Sequence, residues 1–462
     1  MDDKNEFKGM RATVMGLGTF GGGLGSARFL AEHGARVTVT DTKSPEQLAA
    51  SVTRLSDLDI RFVLGGHAME DFTSADIVVA SPAVPRTSKF IDAARNTGAR
   101  LTTEIELFVD RCPSIICGIT GSNGKSTTVS MLGSILESDG RKSWVGGNIG
   151  GSLLAALPEM GVDDIVVLEL SSFQLEWLRD TCWSPHIAAV LNILPNHLDR
   201  HGTIGDYTEA KAAILDNQST DDRVVLVRDD PGSRSLCSRS RGKILWVSAE
   251  HDIPGIVVEN GMILERRYRT VTPIIRVKDL NIIGNHMITN ALVATACAVT
   301  LECSLLTIKK GLRRFSGLPH RLEFVGEVAG VRFVNDSKAT TPDAAAAAAE
   351  AFDGKVIPIL GGYDKEVTFT GMAARMAKRI QWAALIGQTA PMITGELNAV
   401  GVKTSVFATL EEAFDACVAR ASWGSTVLLS PGCASYDMFR DYEERGELFK
   451  ACVRRLIGEK DE

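Results

Sequence analysis

A glycine-rich loop between an apolar strand and a helix carries the strongest chemical signal in this sequence. It reads GITGSNGKSTT over residues 118–128, after a strand predicted over residues 115–117 and before a helix predicted over residues 131–137. Glycines let backbone N–H groups approach phosphates, and the helix N-terminus adds positive potential. In a loop of this kind, a lysine at the position of Lys125 neutralises the charge of the β- and γ-phosphates, and a hydroxyl at the position of Ser126 can ligate Mg²⁺. The loop therefore predicts an ATP site formed by Gly121, Ser122, Asn123, Gly124, Lys125, Ser126, Thr127 and Thr128.

The spacing of these glycines departs from the common GxxxxGK[ST] pattern. Ile119 occupies the position of that pattern's first glycine, and the glycines of this loop lie three residues apart. The departure points to a specialised subset of ATP-using proteins.

A second glycine-rich turn follows the first predicted strand, which spans residues 13–15. It reads GLGTFG over residues 16–21, and Asp41 ends the next predicted strand. This is the local pattern of a dinucleotide-binding turn, in which the acidic residue accepts hydrogen bonds from a ribose. On these residues alone NAD or FAD, another nucleotide and a merely structural turn all stay open, and the ATP loop downstream makes NAD less favoured.

Polar residues end two strands that follow the ATP loop. Glu169 comes directly after a strand predicted over residues 164–168, where a ligand for a second Mg²⁺ is needed, and a solvated strand end is the alternative. His197 lies beyond a strand predicted over residues 187–191, at the edge where open α/β sheets bind ligands. It can ligate a metal, with Asp199 orienting it, although a lone histidine is more often structural.

Other charged residues gain meaning only from their neighbours. Lys211 lies in a helix predicted over residues 207–217 and is by itself an ordinary exposed lysine. Arg321 and Lys338 lie at turns or strand ends and can contact phosphates, and Lys365 can hold a carboxylate. Taken singly, none of the four predicts a site.

The elements that must position these residues follow an α/β pattern. Short apolar strands alternate with helical segments, which indicates parallel sheets. With 462 residues the chain is too long for one hydrophobic core, and we expect three α/β domains, the last one opening after a Gly/Pro turn at residues 316–320. Further strands are predicted over residues 37–40, 77–80, 331–334, 356–360, 383–386 and 426–429, and further helices over residues 26–33 and 344–349.

The composition excludes several classes of protein. Lys and Arg total 50 against 57 Asp and Glu, for a net charge of −7, and no run is polybasic, so nucleic acid is not expected as a partner. We see neither a signal-peptide core nor an apolar run near the ~18 residues of a membrane span, so we expect a cytoplasmic protein without a membrane partner. The nine cysteines form no CxxC pair and are expected as reduced thiols.

In their order along the chain, these motifs resemble those of the Mur ligase family of peptidoglycan synthesis. Within it, the resemblance is to the ligases that add D-glutamate to UDP-N-acetylmuramoyl-L-alanine. It covers almost the whole chain and rests on the two glycine-rich loops together with GGNIG at residues 146–150, ELSSFQ, NHLDR, GLPHR, NDSKAT, GGYDK and SPGCAS.

The resemblance implies that each of the three domains binds a different substrate. A Rossmann-like domain over residues 1–103 would hold UDP, a central P-loop ATPase-like domain over residues 104–317 would hold ATP, and a C-terminal Rossmann-like domain over residues 318–462 would bring the amino acid. The first glycine turn then belongs to a uracil pocket rather than to NAD. The implied contacts to the UDP-substrate are Thr19, Phe20, Asp41, Thr42, Lys43 and Asn148. In addition to the glycine-rich loop, the implied contacts to ATP are Asn290, Arg321, Asp336 and Lys338. The implied contacts to D-glutamate are Thr340, Lys365, Ser435 and Tyr442.

The resemblance also implies a mechanism. The substrate carboxylate attacks the γ-phosphate of ATP to form an acyl phosphate, and the amine of D-glutamate then displaces phosphate. The implied catalytic residues are Lys125, Glu169, His197 and Lys211. Mg²⁺ would be held by Ser126, Glu169 and His197, and by Lys211 once carbamylation has turned its ammonium into a carboxylate-like ligand. A monomer is expected.

Two alternatives stay open. Ligases that add L-alanine, L-lysine or diaminopimelate, and folylpolyglutamate synthase, share the chemistry but differ in the amino-acid pocket. The DSKAT and SPGCAS loops together with Lys365 favour a small diacid, and the sequence has no DNPR-like tetrad. A nucleotide-sensing binding module is the second alternative, and it would need none of His197, Lys211, Lys338 and Lys365.

Overall fold

Three α/β sheets follow one another along the chain in the computed structural model. The structure describes residues 5–18, 21–281, 286–364 and 367–458, and only the backbone of Leu198, Asp199 and His286. Three sheets with helices between their strands confirm the predicted fold class. Within the described part of the chain, no helix is long and apolar enough to cross a membrane.

The first sheet is parallel in all its described pairings. Its strands are β1 (Arg11–Met15), β2 (Arg36–Asp41), β3 (Ile60–Leu64), β4 (Ile77–Ala80) and β5 (Arg100–Thr102). The helices are α1 (Gly22–Glu32), α2 (Pro45–Thr53), α3 (Met69–Thr73), α4 (Lys89–Asn96) and α5 (Glu104–Val109). The order β3-β2-β1-β4-β5 reverses direction at β1, so a crevice opens at the carboxyl end of β1, where the first glycine turn lies.

The second sheet begins with the strand that leads into the ATP loop. Its strands are β6 (Ile115–Thr120), β7 (Ser143–Gly147), β8 (Ile165–Glu169), β9 (Ile187–Val190), β10 (Arg223–Val227), β11 (Lys243–Ser248), β12 (Gly255–Glu259), β13 (Met262–Arg267) and β14 (Thr270–Arg276). Strand β6 pairs in parallel with β8 on one side and β9 on the other. The residues that follow these three strands therefore meet at one edge of the sheet.

Helices of this part of the chain carry several of the predicted residues. They are α6 (Lys125–Asp139), α7 (Ser172–Leu178), α8 (Leu198–His201), α9 (Ile204–Ala212), α10 (Pro231–Ser235), α11 (His286–Thr300) and α12 (Leu305–Arg314), with 3-10 turns at Leu154–Glu159, Leu236–Ser238 and Val277–Asp279. Helix α9 begins before the predicted residue 207 because Thr203 caps it, its hydroxyl accepting a hydrogen bond from the Asp206 N–H at 3.1 Å. It ends at Ala212, earlier than predicted.

The third sheet is parallel except at one edge. Its strands are β15 (Glu323–Val328), β16 (Val331–Asn335), β17 (Val356–Leu360), β18 (Trp382–Leu385), β19 (Lys403–Val406) and β20 (Thr426–Leu429), and its helices are α13 (Pro342–Glu350), α14 (Thr370–Met376), α15 (Ala390–Ala399), α16 (Leu410–Arg420) and α17 (Tyr442–Ile457). The order is β15-β16-β20-β17-β18-β19, with β15 antiparallel. The loops after β16, β20 and β17 therefore lie side by side.

The chain divides into two compact units. The first runs to Val277 and resumes over Thr289–Leu312, so it contains the first two sheets. The second comprises the short segment in between and everything from Arg313 onward, with the third sheet.

Candidate active site

The ATP loop passes directly from β6 into α6. Gly124 caps the helix with φ +87°, a left-handed conformation that favours glycine. A Cβ atom at this position would lie 2.3 Å from Oδ1 of Asn290, so only glycine lets the loop pack against α11. The predicted residue Asn290 is thus brought to the loop, where it is buried.

A residue that the sequence did not single out holds the loop in shape. Asn192 follows β9, and its side-chain oxygen accepts a hydrogen bond from the Asn123 N–H at 2.9 Å while its amide donates to the Asn123 carbonyl at 3.1 Å. The Ser122 N–H donates to the Asn192 carbonyl at 2.9 Å. The position of Asn192, just past a buried strand beside β6, is the signal that could have identified it.

Two lysines converge on one carbonyl of the loop. Nζ of Lys125 donates to the Gly121 oxygen at 2.7 Å, and Nζ of Lys211 donates to the same oxygen at 3.0 Å. Lys211 is 1% exposed and lies over the ring of Tyr207 at 4.7 Å, so it is no ordinary surface lysine. Burial, and next the Lys125 ammonium, lower the pKa of Lys211 to about 7.

Glu169 presents an unsatisfied oxygen beside this cluster. It ends β8 and is 2% exposed, and its Oε1 accepts a hydrogen bond from the Asn148 amide at 2.9 Å. Its Oε2 is buried and has no hydrogen-bond partner among the described residues. Burying a carboxylate oxygen without a hydrogen-bond donor is unfavourable in free energy, and a bound cation would offset that cost. The donor set is therefore suited to a divalent metal ion.

His197 lies on an exposed segment at the start of α8. Its backbone has φ +52°, with its N–H donating to the Asn196 side chain at 2.9 Å. The ring packs 5.1 Å from that of Phe173, which also stacks on the His201 ring at 5.4 Å. Nε2 of His201 lies 3.0 Å from the Ser172 hydroxyl. The side chain of Asp199 lies outside the described residues.

The first glycine turn binds its own acidic residue. The Asp41 carboxylate accepts hydrogen bonds from the Gly18 N–H at 3.1 Å and the Lys43 N–H at 2.9 Å. Thr42 and Lys43 are exposed beside it. The predicted residues Thr19 and Phe20 lie outside the described part of the chain.

A cavity of about 340 Å³ links this turn to the second sheet. Its described lining includes the turn, residues 147–151 with Asn148, and Phe173, and its one ionisable group is Glu104 at the start of α5. The Glu104 carboxylate accepts a hydrogen bond from the Ser152 hydroxyl at 2.5 Å, and burial raises its pKa to about 7. No sequence signal distinguished Glu104, because only the packing of α5 places it here.

The remaining predicted residues lie in the second unit, most of them on the adjoining loops after β16 and β20. The Asp336 carboxylate accepts hydrogen bonds from the Ser430 hydroxyl at 2.7 Å and the Leu322 N–H at 3.1 Å, and burial raises its pKa to about 6. Lys338 is exposed, with Nζ 5.4 Å from the centre of the Tyr442 ring.

The other members of this group have different surroundings. Arg321 is exposed near Asp336, Thr340 is half-buried and Ser435 is 2% exposed. The predicted residue Lys365 lies outside the described residues. The first unit thus brings together the ATP loop, Asn290, Glu169, Lys211 and Asn148, and the second unit brings together Asp336, Lys338, Thr340, Ser435 and Tyr442.

Three family models match consecutive parts of the chain. They describe a Mur ligase MurD-like N-terminal domain over residues 10–103, a Mur ligase middle domain over residues 119–298 and a Mur ligase glutamate ligase domain over residues 320–433. Together the models follow the order of the three sheets.

Close relatives match the chain along its whole length. A UDP-N-acetylmuramoylalanine–D-glutamate ligase of Roseiflexus sp. is 40% identical over 463 residues, covering 97% of this chain and 99% of its own. One of Trichlorobacter lovleyi is 40% identical over 453 residues, covering 98% and 100%.

Solved structures share the fold at low identity. A UDP-N-acetylmuramate–alanine ligase of Thermotoga maritima has a TM-score of 0.58 at 19% identity and covers 98% of this chain and 100% of its own. A UDP-N-acetylmuramoyl-L-alanyl-D-glutamate–2,6-diaminopimelate ligase has a TM-score of 0.60 at 17% identity, with coverages of 83% and 93%. On the full-length identity to its relatives, the chain belongs to the Mur ligase family, in its MurD-like branch.

Proposed function

We propose that this protein is an ATP-dependent ligase that adds D-glutamate to UDP-N-acetylmuramoyl-L-alanine in the synthesis of peptidoglycan precursors. Relatives about 40% identical over nearly the whole chain carry that activity in their names. The observation that supports the chemistry best is the cluster of Lys125, Lys211 and the buried, unsatisfied Glu169 around the ATP loop. A sensor or binding module needs no such cluster.

The proposed reaction has two steps. An oxygen of the substrate carboxylate attacks the γ-phosphorus of ATP, the bond to the β-bridging oxygen breaks, and an acyl phosphate and ADP result. The amine of D-glutamate then attacks the acyl carbon, loses a proton, and expels inorganic phosphate as the amide forms. Phosphorylation is needed because attack on a free carboxylate would have to expel oxide, which is a poor leaving group, whereas the acyl phosphate expels phosphate.

The first step brings two anions together, so the site must supply positive charge. Lys125 is placed to neutralise the β- and γ-phosphates, and Gly121 to Thr128 supply backbone donors at the N-terminus of α6. Mg²⁺, held by Ser126, Glu169, His197 and carbamylated Lys211, would further neutralise the phosphates. Asn290 lies at the same loop and is assigned to the adenine side.

Carbamylation of Lys211 is part of the proposal. The reaction joins a neutral amine to CO₂ and releases a proton, so it needs an unprotonated lysine. Burial already favours that form of Lys211. The product is an anion in place of a cation, which suits a position beside Glu169 only when a metal ion is shared between them.

The substrate contacts follow the three sheets. We propose that the UDP-substrate is bound by Thr19, Phe20, Asp41, Thr42, Lys43 and Asn148. The C-terminal domain would contact ATP through Arg321, Asp336 and Lys338, and D-glutamate through Thr340, Lys365, Ser435 and Tyr442. The domain limits we propose are residues 1–103, 104–317 and 318–462.

Because both nucleotides are cytoplasmic metabolites, we place the reaction in the cytoplasm, and we propose a monomer.

The test is an amino-acid panel. Phosphate release is measured with ATP, Mg²⁺ and UDP-N-acetylmuramoyl-L-alanine, in parallel with D-glutamate, L-glutamate, L-alanine, L-lysine and diaminopimelate. We expect release with D-glutamate only, because the full-length relatives are named for D-glutamate and the C-terminal loops favour a small diacid. Release with another amino acid alone would make the protein a sister ligase, and release with none would favour a binding module.

A further inference from the structure

Arg445 is the largest side chain that is fully buried among the described residues. It extends from the first turn of α17, and its exposed fraction is 0%. Arginine is almost never fully buried unless it has a specific partner. The contacts of its guanidinium group therefore indicate what the residue does.

The guanidinium group joins two loops of the second unit. Its Nε donates to the Ser337 hydroxyl at 3.0 Å, and Nη2 donates to the Ser337 carbonyl at 2.9 Å. On the other side Nη2 donates to the Cys433 carbonyl at 3.1 Å and Nη1 to the Ala434 carbonyl at 3.3 Å. Ser337 belongs to the loop after β16, and Cys433 and Ala434 belong to the loop after β20.

A third loop packs against the same group. A Cβ atom on Gly362, just after β17, would lie 3.2 Å from Nη1 of Arg445 and 2.3 Å from the Ala434 carbonyl oxygen. The next residue, Tyr363, donates its N–H to the same Ala434 oxygen at 2.9 Å. One planar cation thus lies where the loops that follow β16, β20 and β17 meet.

Stability alone does not account for a cation here. Among the described residues, the hydrogen-bond partners of the guanidinium group are one hydroxyl and three carbonyl groups rather than a carboxylate, although Asp437 attracts it from farther away. Burial lowers the pKa of Arg445 to about 10, so the side chain remains protonated at neutral pH. A well-packed apolar side chain usually costs less than a buried charge. What an apolar side chain lacks is a rigid set of donors that fixes several carbonyl groups at once.

We propose that Arg445 is a positioning residue for the amino-acid pocket, holding Thr340 and Ser435 at the correct separation through the loops that carry them. Thr340 lies three residues beyond Ser337, and Ser435 directly follows Ala434. The inference rests on the proposed assignment of D-glutamate to these loops. The contacts proposed for the UDP-substrate belong to the first unit, whereas Arg445 and the loops that it joins belong to the second.

The test compares Michaelis constants of variants of the full chain. Arg445→Met keeps much of the volume and removes every donor, and we expect it to raise KM for D-glutamate by about tenfold or more while KM for the UDP-substrate stays within about twofold. Arg445→Lys keeps the charge but not the planar fork and should give an intermediate KM. Partial unfolding alone would lower the active fraction, and hence kcat, without this split.

Two further variants keep the test decisive. Arg455→Met, on the same helix but with a side chain 62% exposed, is the matched control and should change neither constant. Ser337→Ala removes the acceptor of Nε and should raise KM for D-glutamate by about threefold even if Arg445→Met fails to fold. An active wild-type protein whose variants leave KM for D-glutamate unchanged would overturn this inference alone. A wild-type protein inactive with D-glutamate would overturn the proposed function, and this inference with it.

Discussion

Replacing Lys125 with methionine is expected to lower kcat by about 10³-fold, because the variant removes the ammonium that neutralises charge on the transferred phosphoryl group. Lys125 begins α6 and its Nζ lies on the carbonyls of Gly121 and Ser122, inside the loop that we assign to ATP. The measurement is steady-state phosphate release with all three substrates. Thermal unfolding of the variant should match that of the wild-type protein, since the side chain is only partly buried.

The matched control for this variant is Lys142→Met. Lys142 follows the same helix, but its side chain is 53% exposed, and its Nζ donates to the Glu159 carbonyl at 2.6 Å and lies 3.7 Å from Asp164. An ion pair made by a half-exposed lysine contributes little, so activity should stay within about twofold of wild type. If both variants retained full activity, ATP would not be bound by the loop over residues 121–128.

Replacing Lys211 with alanine is expected to lower kcat by a similar factor of about 10³. If the working form of Lys211 is a carbamate, the variant lacks an anionic metal ligand and leaves a buried space beside Gly121. A small carboxylate such as acetate or formate fits that chemistry, and we expect it to restore activity to about tenfold above that of the unaided variant. The measurement is phosphate release across a concentration series of the added acid.

Two comparisons make the Lys211 experiment specific. The same acids should not rescue Lys125→Ala, because that position needs a cation. Rescue of Lys211→Ala by an alkylamine instead of a carboxylate would show that the ammonium is the working form. That outcome would remove Lys211 from the proposed metal ligands while leaving it in the active site.

Sequence patterns located the ATP loop and Glu169 because both follow buried strands of one parallel sheet. Residues that end neighbouring parallel strands must meet at one edge, and the structure brings this loop, Glu169 and Asn148 together there. Lys211 is different. Its helix pattern predicted a surface lysine, and only the packing of α9 on the loop buries it, so its importance came from the resemblance to a family.

Asn192, Glu104 and Arg445 were not foreseen, and only Asn192, just past a buried strand, had a position in the sequence that could have identified it. Each acts through neighbours distant in sequence, namely Asn123, Ser152 and Ser337. A single sequence records residue types but not which ones tertiary packing brings together. Strands β3, β5, β7, β10 to β15 and β19 were not predicted either; among them, β12 to β14 form antiparallel pairs, which lack the βαβ spacing.

The most direct test of the proposed acyl phosphate is the transfer of an isotope. UDP-N-acetylmuramoyl-L-alanine labelled with ¹⁸O in its carboxylate is converted with ATP and D-glutamate, and the released phosphate is analysed by mass spectrometry. Because a carboxylate oxygen becomes the bridge of the acyl phosphate and leaves with phosphorus, each phosphate should carry one ¹⁸O. Unlabelled phosphate accompanying amide formation would show that the carboxylate never attacks ATP, and would contradict the proposed mechanism.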